Sequence, residues 1–217
     1  MYGPDGTPVD AVYRRAVTSD VMEHAAESAA LLDAVRADAV VLVGDFHTQI
    51  VHNKTLFRVL QTPATAALLT EEERAYVRDH VPYTAALCDC SPELLARVAR
   101  NKDGWILKPQ DSYASRGVHA GVENTQEQWE QILRELDNPE ARRNYILQEF
   151  YMPYVTENYG MVDGRFRKAN YYNLTGVYVY DGVPQGVYSR VSLSPIISTQ
   201  YSEKTIATLF VEDAAAE

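Results

Sequence analysis

The stretch that most constrains this chain runs from Trp105 to Gly121 and reads WILKPQDSYASRGVHAG. Three apolar residues, Trp105, Ile106 and Leu107, predict a short strand that delivers Lys108 to its end. Pro109 stops that strand by removing a backbone donor. The loop that follows is made of small and polar residues. Ser112, Ala114, Ser115 and Gly117 leave backbone N–H groups uncovered, so the loop can close over an anionic oxygen while Lys108 and Arg116 supply charge. That is the chemistry of a phosphate clamp. An exposed hairpin loop with a solvated lysine is the plainer reading of the same residues. Neither GxxxxGK(S/T) nor GxGxxG occurs in the chain, which excludes a Walker-type or Rossmann-type phosphate site.

Composition narrows the partners. A formal net charge of −10 with a pI near 5.0 argues against DNA or RNA, whose phosphates require a basic surface. Small anions remain open to local clusters of charge. No apolar run approaches the span of a membrane helix, and the opening MYGPDGTPVD has neither the basic start nor the apolar core of a signal peptide, so a soluble cytoplasmic protein is expected. Cys88 and Cys90 are separated by one residue, a spacing that suits neither a redox pair nor a zinc ligand set, and ordinary reduced thiols are expected. Fifteen tyrosines, concentrated after Tyr145, fit the half-wet surface of a sheet.

In chain order, a turn at Pro4-Asp5-Gly6 leads into an alternating run through Val9, Ala11 and Tyr13 that ends in Arg14 and Arg15. Ser19 reads as the N-cap of one helix carrying Val21, Ala25, Leu32 and Val35 on its apolar face. The run AVVLVGDF, Ala39 to Phe46, predicts a buried parallel strand. Asn53 then predicts a cap for a helix that begins at Lys54. A lysine in a first turn is electrostatically misplaced unless an anion sits nearby, so Lys54 is a candidate ligand, a surface lysine being the alternative. His47 and His52 lack companion carboxylates and read as structural. Thr70 with Glu73 predicts a capping box, and Ser91-Pro92 starts a further helix. A helix from Thr125 to Leu136 places Trp129 in the core, and NYILQEF, Asn144 to Phe150, forms the next strand. Strand, loop, strand, helix and strand make a compact α+β lobe. Beyond Tyr151, turn signals at Asp163-Gly164 and Asp181-Gly182, alternating runs over 176–180 and 185–191, and a last strand near Leu209 predict an antiparallel sheet. Arg165, Arg167, Lys168 and Arg190 are expected to give it a basic face, either a salt-bridged exterior or the floor of an anion site. The tail EDAAAE is expected to fray.

Six pieces then fall in order: Tyr13-Arg14-Arg15, Asn53-Lys54, Pro82-Tyr83-Thr84, Ile106-Leu107-Lys108-Pro109 with SYASRGV, Leu147-Gln148-Glu149-Phe150, and Tyr188-Ser189-Arg190-Val191. Together they resemble the C-terminal half of the circularly permuted ATP-grasp family related to glutathionylspermidine synthase, over nearly the whole chain. The resemblance implies an α+β, ATP-grasp fold in which two α+β lobes, built of mixed and antiparallel sheets, hold the nucleotide between them. It divides the chain into an N-terminal α/β portion at 1–100, a small lobe with the phosphate loop and adenine hinge at 101–150, and the antiparallel portion at 151–217. It also implies that Lys54 and Lys108 hold the nucleotide phosphates and that the loop Asp111 to Val118, including Ser112, Tyr113, Ser115, Arg116, Gly117 and Val118, closes over them. Gln148, Glu149 and Phe150 would receive adenine, and Arg190 would point toward the reaction centre.

The implied reaction joins a small-molecule carboxylate to an amine, with ATP and Mg²⁺, through an acyl phosphate. One departure bears on it. ATP-grasp enzymes hold Mg²⁺ with an acidic cluster that includes Glu-x-Asn, and no such triplet occurs here. Permuted members carry that cluster upstream of the region matched, so the metal ligands are expected outside this chain. They would come from a missing upstream segment or from an N-terminal partner chain. The alternative is a non-catalytic nucleotide-binding or protein-interaction module.

Overall fold

A computed structural model describes residues 1–162, 164–198 and 203–209. The chain divides into two compact units, Met1–Leu56 and Phe57–Glu217.

The first unit contains β1 (Ala11–Tyr13), α1 (Thr18–Glu23), α2 (Ala29–Arg36), β2 (Val41–Val43), α3 (Gln49–His52) and the start of α4 (Thr55–Leu60). β1 and β2 pair in parallel, Val12 opposite Leu42. The predicted parallel strand is present, but its predicted burial is not. Val12 and Leu42 are half-buried on one face, whereas Tyr13, Val41 and Val43 on the other are 74, 65 and 45 % exposed. A pair of three-residue strands packs through one side only. The predicted single helix is two, and its cap is Val17 in place of Ser19. Between Met22 and Leu31 the sequence offers only small alanines, Ala25, Ala26, Ala29 and Ala30, as apolar packing groups, and the chain turns there. Arg14 pins the turn after β2 by donating to the carbonyls of Gly44 at 2.6 Å and Asp45 at 3.2 Å, its guanidinium lying 4.9 Å from the Phe46 ring centroid.

The second unit takes in the rest of α4, then α5 (Pro63–Ala66) and α6 (Glu71–His80), the last started by the reciprocal Thr70–Glu73 capping box. Then follow β3 (Thr84–Ala86), α7 (Pro92–Arg100), β4 (Trp105–Pro109), β5 (His119–Ala120), α8 (Gln126–Glu135), α9 (Pro139–Asn144) and β6 (Tyr145–Glu149). The strands form an antiparallel sheet in the order β3-β6-β4-β5, so β3, from within the first hundred residues, is bonded into the same sheet as the lysine strand. Alternation gives the sheet two faces. Ala85, Trp105, Leu107 and Leu147 project to the side of α7 and α8, where Val98 and Trp129 are fully buried among them. The Trp129 indole N–H donates to the Val98 carbonyl at 3.1 Å, which satisfies its polar edge. Ile106 and Ala120 project to the opposite face and pack against Ile196, Val118, Val122 and Phe150.

The remaining strands, β7 (Val155–Val162), β8 (Arg165–Tyr180), β9 (Val183–Ser192) and β10 (Lys204–Ile206), form a second antiparallel sheet in the order β10-β9-β8-β7. The β8–β9 turn places Asp181 and Gly182 at φ 49° and 72°, the geometry that the Asp-Gly pair predicts. Of the other predicted turn, Asp163 lies outside the described residues, as does the tail EDAAAE. The last strand precedes Leu209, with Thr205 opposite Arg190. The expected single basic face is corrected by the register. Arg165 and Arg167 share one side of β8, whereas Lys168 lies on the other, and pairing of Arg190 with Leu174 puts Arg190 with Lys168. Lys168 is ion-paired with Glu157, and Arg190 with Glu203.

Candidate functional site

Lys108 sits at the end of β4, on the face opposite the helices. Its ammonium donates to Gln148 Oε1 at 2.7 Å. Gln148 is directly opposite both Ile106 of β4 and Thr84 of β3, so one residue of the central strand spans three strands. Its Nε2 donates to Thr84 Oγ1 at 2.8 Å, and Thr84 Oγ1 donates to the Pro82 carbonyl at 2.9 Å. Gln148 and Thr84 are each 4 % exposed. A buried amide and hydroxyl need such partners, since an unmade bond there costs about 1–3 kcal/mol. Gln61 closes the row, accepting from the Thr84 N–H at 3.1 Å and donating to the carbonyls of Pro82 at 2.7 Å and Val81 at 3.3 Å.

The loop after β4 is shaped by its backbone. Ala114, Ser115 and Gly117 have φ of 52°, 57° and 68°, a left-handed run that reverses the chain within a few residues. Arg116 N–H donates to the Tyr113 carbonyl and Val118 N–H to the Ser115 carbonyl, each at 3.2 Å, while Ser112 Oγ donates to the Arg116 carbonyl at 3.2 Å. The Arg116 guanidinium lies 4.7 Å from the Tyr113 ring centroid. At Gly117 a Cβ would come within 2.9 Å of both the Pro109 ring and the Tyr145 hydroxyl. Only glycine fits both the angle and the space, so the loop has a fixed C-terminal stem.

The chain around the expected adenine hinge is already bonded. Glu149 N–H donates to the Tyr83 carbonyl at 2.9 Å and Phe150 N–H to the Gly104 carbonyl at 2.8 Å. The Glu149 carboxylate accepts from the Tyr83 N–H and the Tyr151 hydroxyl, both at 3.4 Å. Phe150 packs into the apolar cluster of Ile106, Ala120 and Ile196, on the face that carries Lys108. No protein-family model matches this chain, and no curated protein matches it.

Arg190 lies in the second sheet, its NH1 3.0 Å from Glu203 Oε2 and its guanidinium 5.6 Å from the Tyr188 ring centroid. Its Nε is buried without a hydrogen-bond partner among the described residues. Lys54 belongs to the first unit, just before α4, where Asn53 Oδ1 accepts from the Thr55 N–H at 2.9 Å, so the helix begins one residue later than predicted. Among the described residues no group of three or more His, Cys, Asp and Glu side chains is placed to hold a metal ion. Nor is any helix among them long and apolar enough to cross a membrane. Cys88 and Cys90 are both free, and burial pushes the Cys90 thiol up to about 11.

The structure thus joins Lys108 to Gln148 through a contact that sequence reading missed, together with the roles of Thr84 and Gln61. One signal was present. A glutamine in the apolar strand NYILQEF, at a position that alternation places inside, needs a buried partner. Gln61, in the turn after α4, carried no such signal.

Proposed function

We propose that this chain is the nucleotide-binding part of an ATP-dependent carboxylate–amine ligase of the circularly permuted ATP-grasp type, related to glutathionylspermidine synthase and working in the cytoplasm. The observation that carries the reading is Lys108, held by a buried amide at the mouth of a glycine-stemmed loop. A positioned ammonium and a loop of small residues form a donor set suited to the oxygens of a polyphosphate. In this reading Lys108 binds the phosphates, and residues 111–118, with Arg116, close over them. The apolar face of Ile106 and Phe150 takes the base side of the nucleotide. ATP supplies the phosphoryl group that activates the carboxylate for attack by the amine. Positioning and charge are what the protein adds to such a transfer. Metal ligands come from an upstream segment or a partner chain.

A second reading is favoured by the Arg190–Glu203 pair. A carboxylate already ion-paired with the strand arginine suits a module that binds nucleotide without turning it over. Calorimetric titration with ATP, with and without Mg²⁺, tests the common core of both. Wild-type binding that weakens at least about tenfold in Lys108→Ala is expected from loss of a charge-assisted contact. A folded wild-type chain that binds no ATP removes the assignment. Turnover only after addition of an acidic partner chain, with both acid and amine present, separates the ligase from the silent module.

A further inference from the structure

The row from Lys108 to Pro82 has only one internally consistent direction. A lysine ammonium can only donate, so the atom of Gln148 that meets it at 2.7 Å must be the amide oxygen. The amide nitrogen then necessarily points at Thr84, whose hydroxyl accepts at 2.8 Å and passes its own proton toward the Pro82 carbonyl at 2.9 Å. Gln61 fixes both ends of that last step by holding the Thr84 N–H and the Pro82 carbonyl. The orientation of Gln148 is therefore set from the neighbouring strand β3, and its amide oxygen is presented to the lysine. Both termini of the side chain are engaged, and the residue is 4 % exposed.

We propose that Gln148 is a positioning residue for Lys108, aiming the ammonium at a phosphate, and that it makes no contact with a nucleotide base. This departs from the role that the family resemblance implies, and it rests on the nucleotide reading above. The choice of an amide has a chemical reason. It offers the ammonium an acceptor without adding a negative charge, whereas a carboxylate in the same place would oppose an incoming polyanion. Thr84 and Gln61 act one and two steps further back, through Gln148.

The test uses the full chain and two probes, ATP and inorganic tripolyphosphate, which carries phosphates but no base. Gln148→Met keeps the volume and removes the acceptor. Thr84→Val leaves Gln148 in place and removes what anchors it. Gln148→Met is expected to weaken ATP and tripolyphosphate by the same factor, about tenfold or more, as for a lost bond to a charged group. Thr84→Val is expected to produce the same parallel loss at smaller size, and it decides the question alone if Gln148→Met does not melt cooperatively. Loss of ATP affinity with unchanged tripolyphosphate binding places Gln148 on the base and overturns the proposal. Unchanged affinity for both probes in folded variants overturns it as well, as does a wild-type chain that binds ATP but not tripolyphosphate. Failure of the wild-type chain to bind either probe is the separate failure of the nucleotide reading, and the positioning role falls with it.

Discussion

Among the described residues the second unit contains two antiparallel sheets of four strands each, and they are built on opposite terms. In the β3-β6-β4-β5 sheet, Leu107, Leu147 and the facing Trp129 have no exposed surface at all. In the β10-β9-β8-β7 sheet, Phe166 and Tyr180 are 72 and 74 % exposed. The difference follows from chain order. Helices α7, α8 and α9 are interleaved with the strands of the first sheet, and α7 and α8 return to cover one face. From Val155 to Ser192 the chain runs hairpin after hairpin with no helix between. That sheet relies on cross-strand pairs. Tyr178 and Tyr188 have ring centroids 4.9 Å apart, and Asn173 both donates to and accepts from Thr156. Tyr188 also covers Gly176 opposite it, where a Cβ would lie 2.2 Å from the ring.

The largest effect that tests this contrast is a pair of truncations. Trp129→Ala should cost about 3–5 kcal/mol in urea unfolding, the range for deleting a buried aromatic. Phe166→Ala, on an exposed strand position, should stay within about 0.5 kcal/mol. Equal costs would break the comparison, because they would mean that the long sheet's open face is covered in solution.

An intermediate effect is expected inside the long sheet itself. The Tyr171 hydroxyl is buried without a partner among the described residues and lies 2.4 Å from where a Cβ on Gly160 would be. Gly160→Ala should therefore cost about 1–3 kcal/mol by overpacking. Tyr171→Phe removes an unsatisfied polar atom and should be neutral or stabilising. The double variant should recover much of the loss, and a double-mutant cycle on urea midpoints measures the coupling. Simple additivity would show that the glycine and the tyrosine are not in contact. Smaller again is Thr125→Ala, which deletes the cap of α8 and should cost about 1 kcal/mol.

The same contrast explains what the sequence could and could not convey. The helix-backed lobe was legible. Thr70 with Glu73, Ser91 with Pro92, the stripe around Trp129 and the run WILKP each carry a local signal whose cause is local. The long sheet's strands were legible as alternation, but the face on which a cation ends up was not. Arg167 and Lys168 are adjacent in sequence and on opposite sides in space, and only the register with β9 tells which of them joins Arg190. The valine run of β2 misled for a related reason. Apolar composition predicts burial only if something packs on both sides, and that depends on other parts of the fold. The candidate site shows both limits together. Lys108 and its loop were visible from residue type and order, whereas its link to Gln148, Thr84 and Gln61 is a three-strand register that no single stretch encodes.

The finest difference between the two sheets is their response to pH. His119 lies in β5, stacked at 6.4 Å on Tyr145, and burial holds its pKa below the ordinary 6.5 against an opposing pull from Glu135. Folding thus keeps this imidazole neutral where the unfolded chain would protonate it. As pH falls below 6.5 the unfolded chain takes up the proton first, so stability declines until the lower, folded value is passed and then levels off. The long-sheet segment 151–217 contains no histidine and has no such titration. Melting temperatures followed from about pH 7 to pH 5 should fall more steeply for the wild-type chain than for His119→Gln, the difference between the two curves isolating this one group from the carboxylates. Parallel curves would show that His119 is solvated, and that the buried sheet is open at its β5 edge.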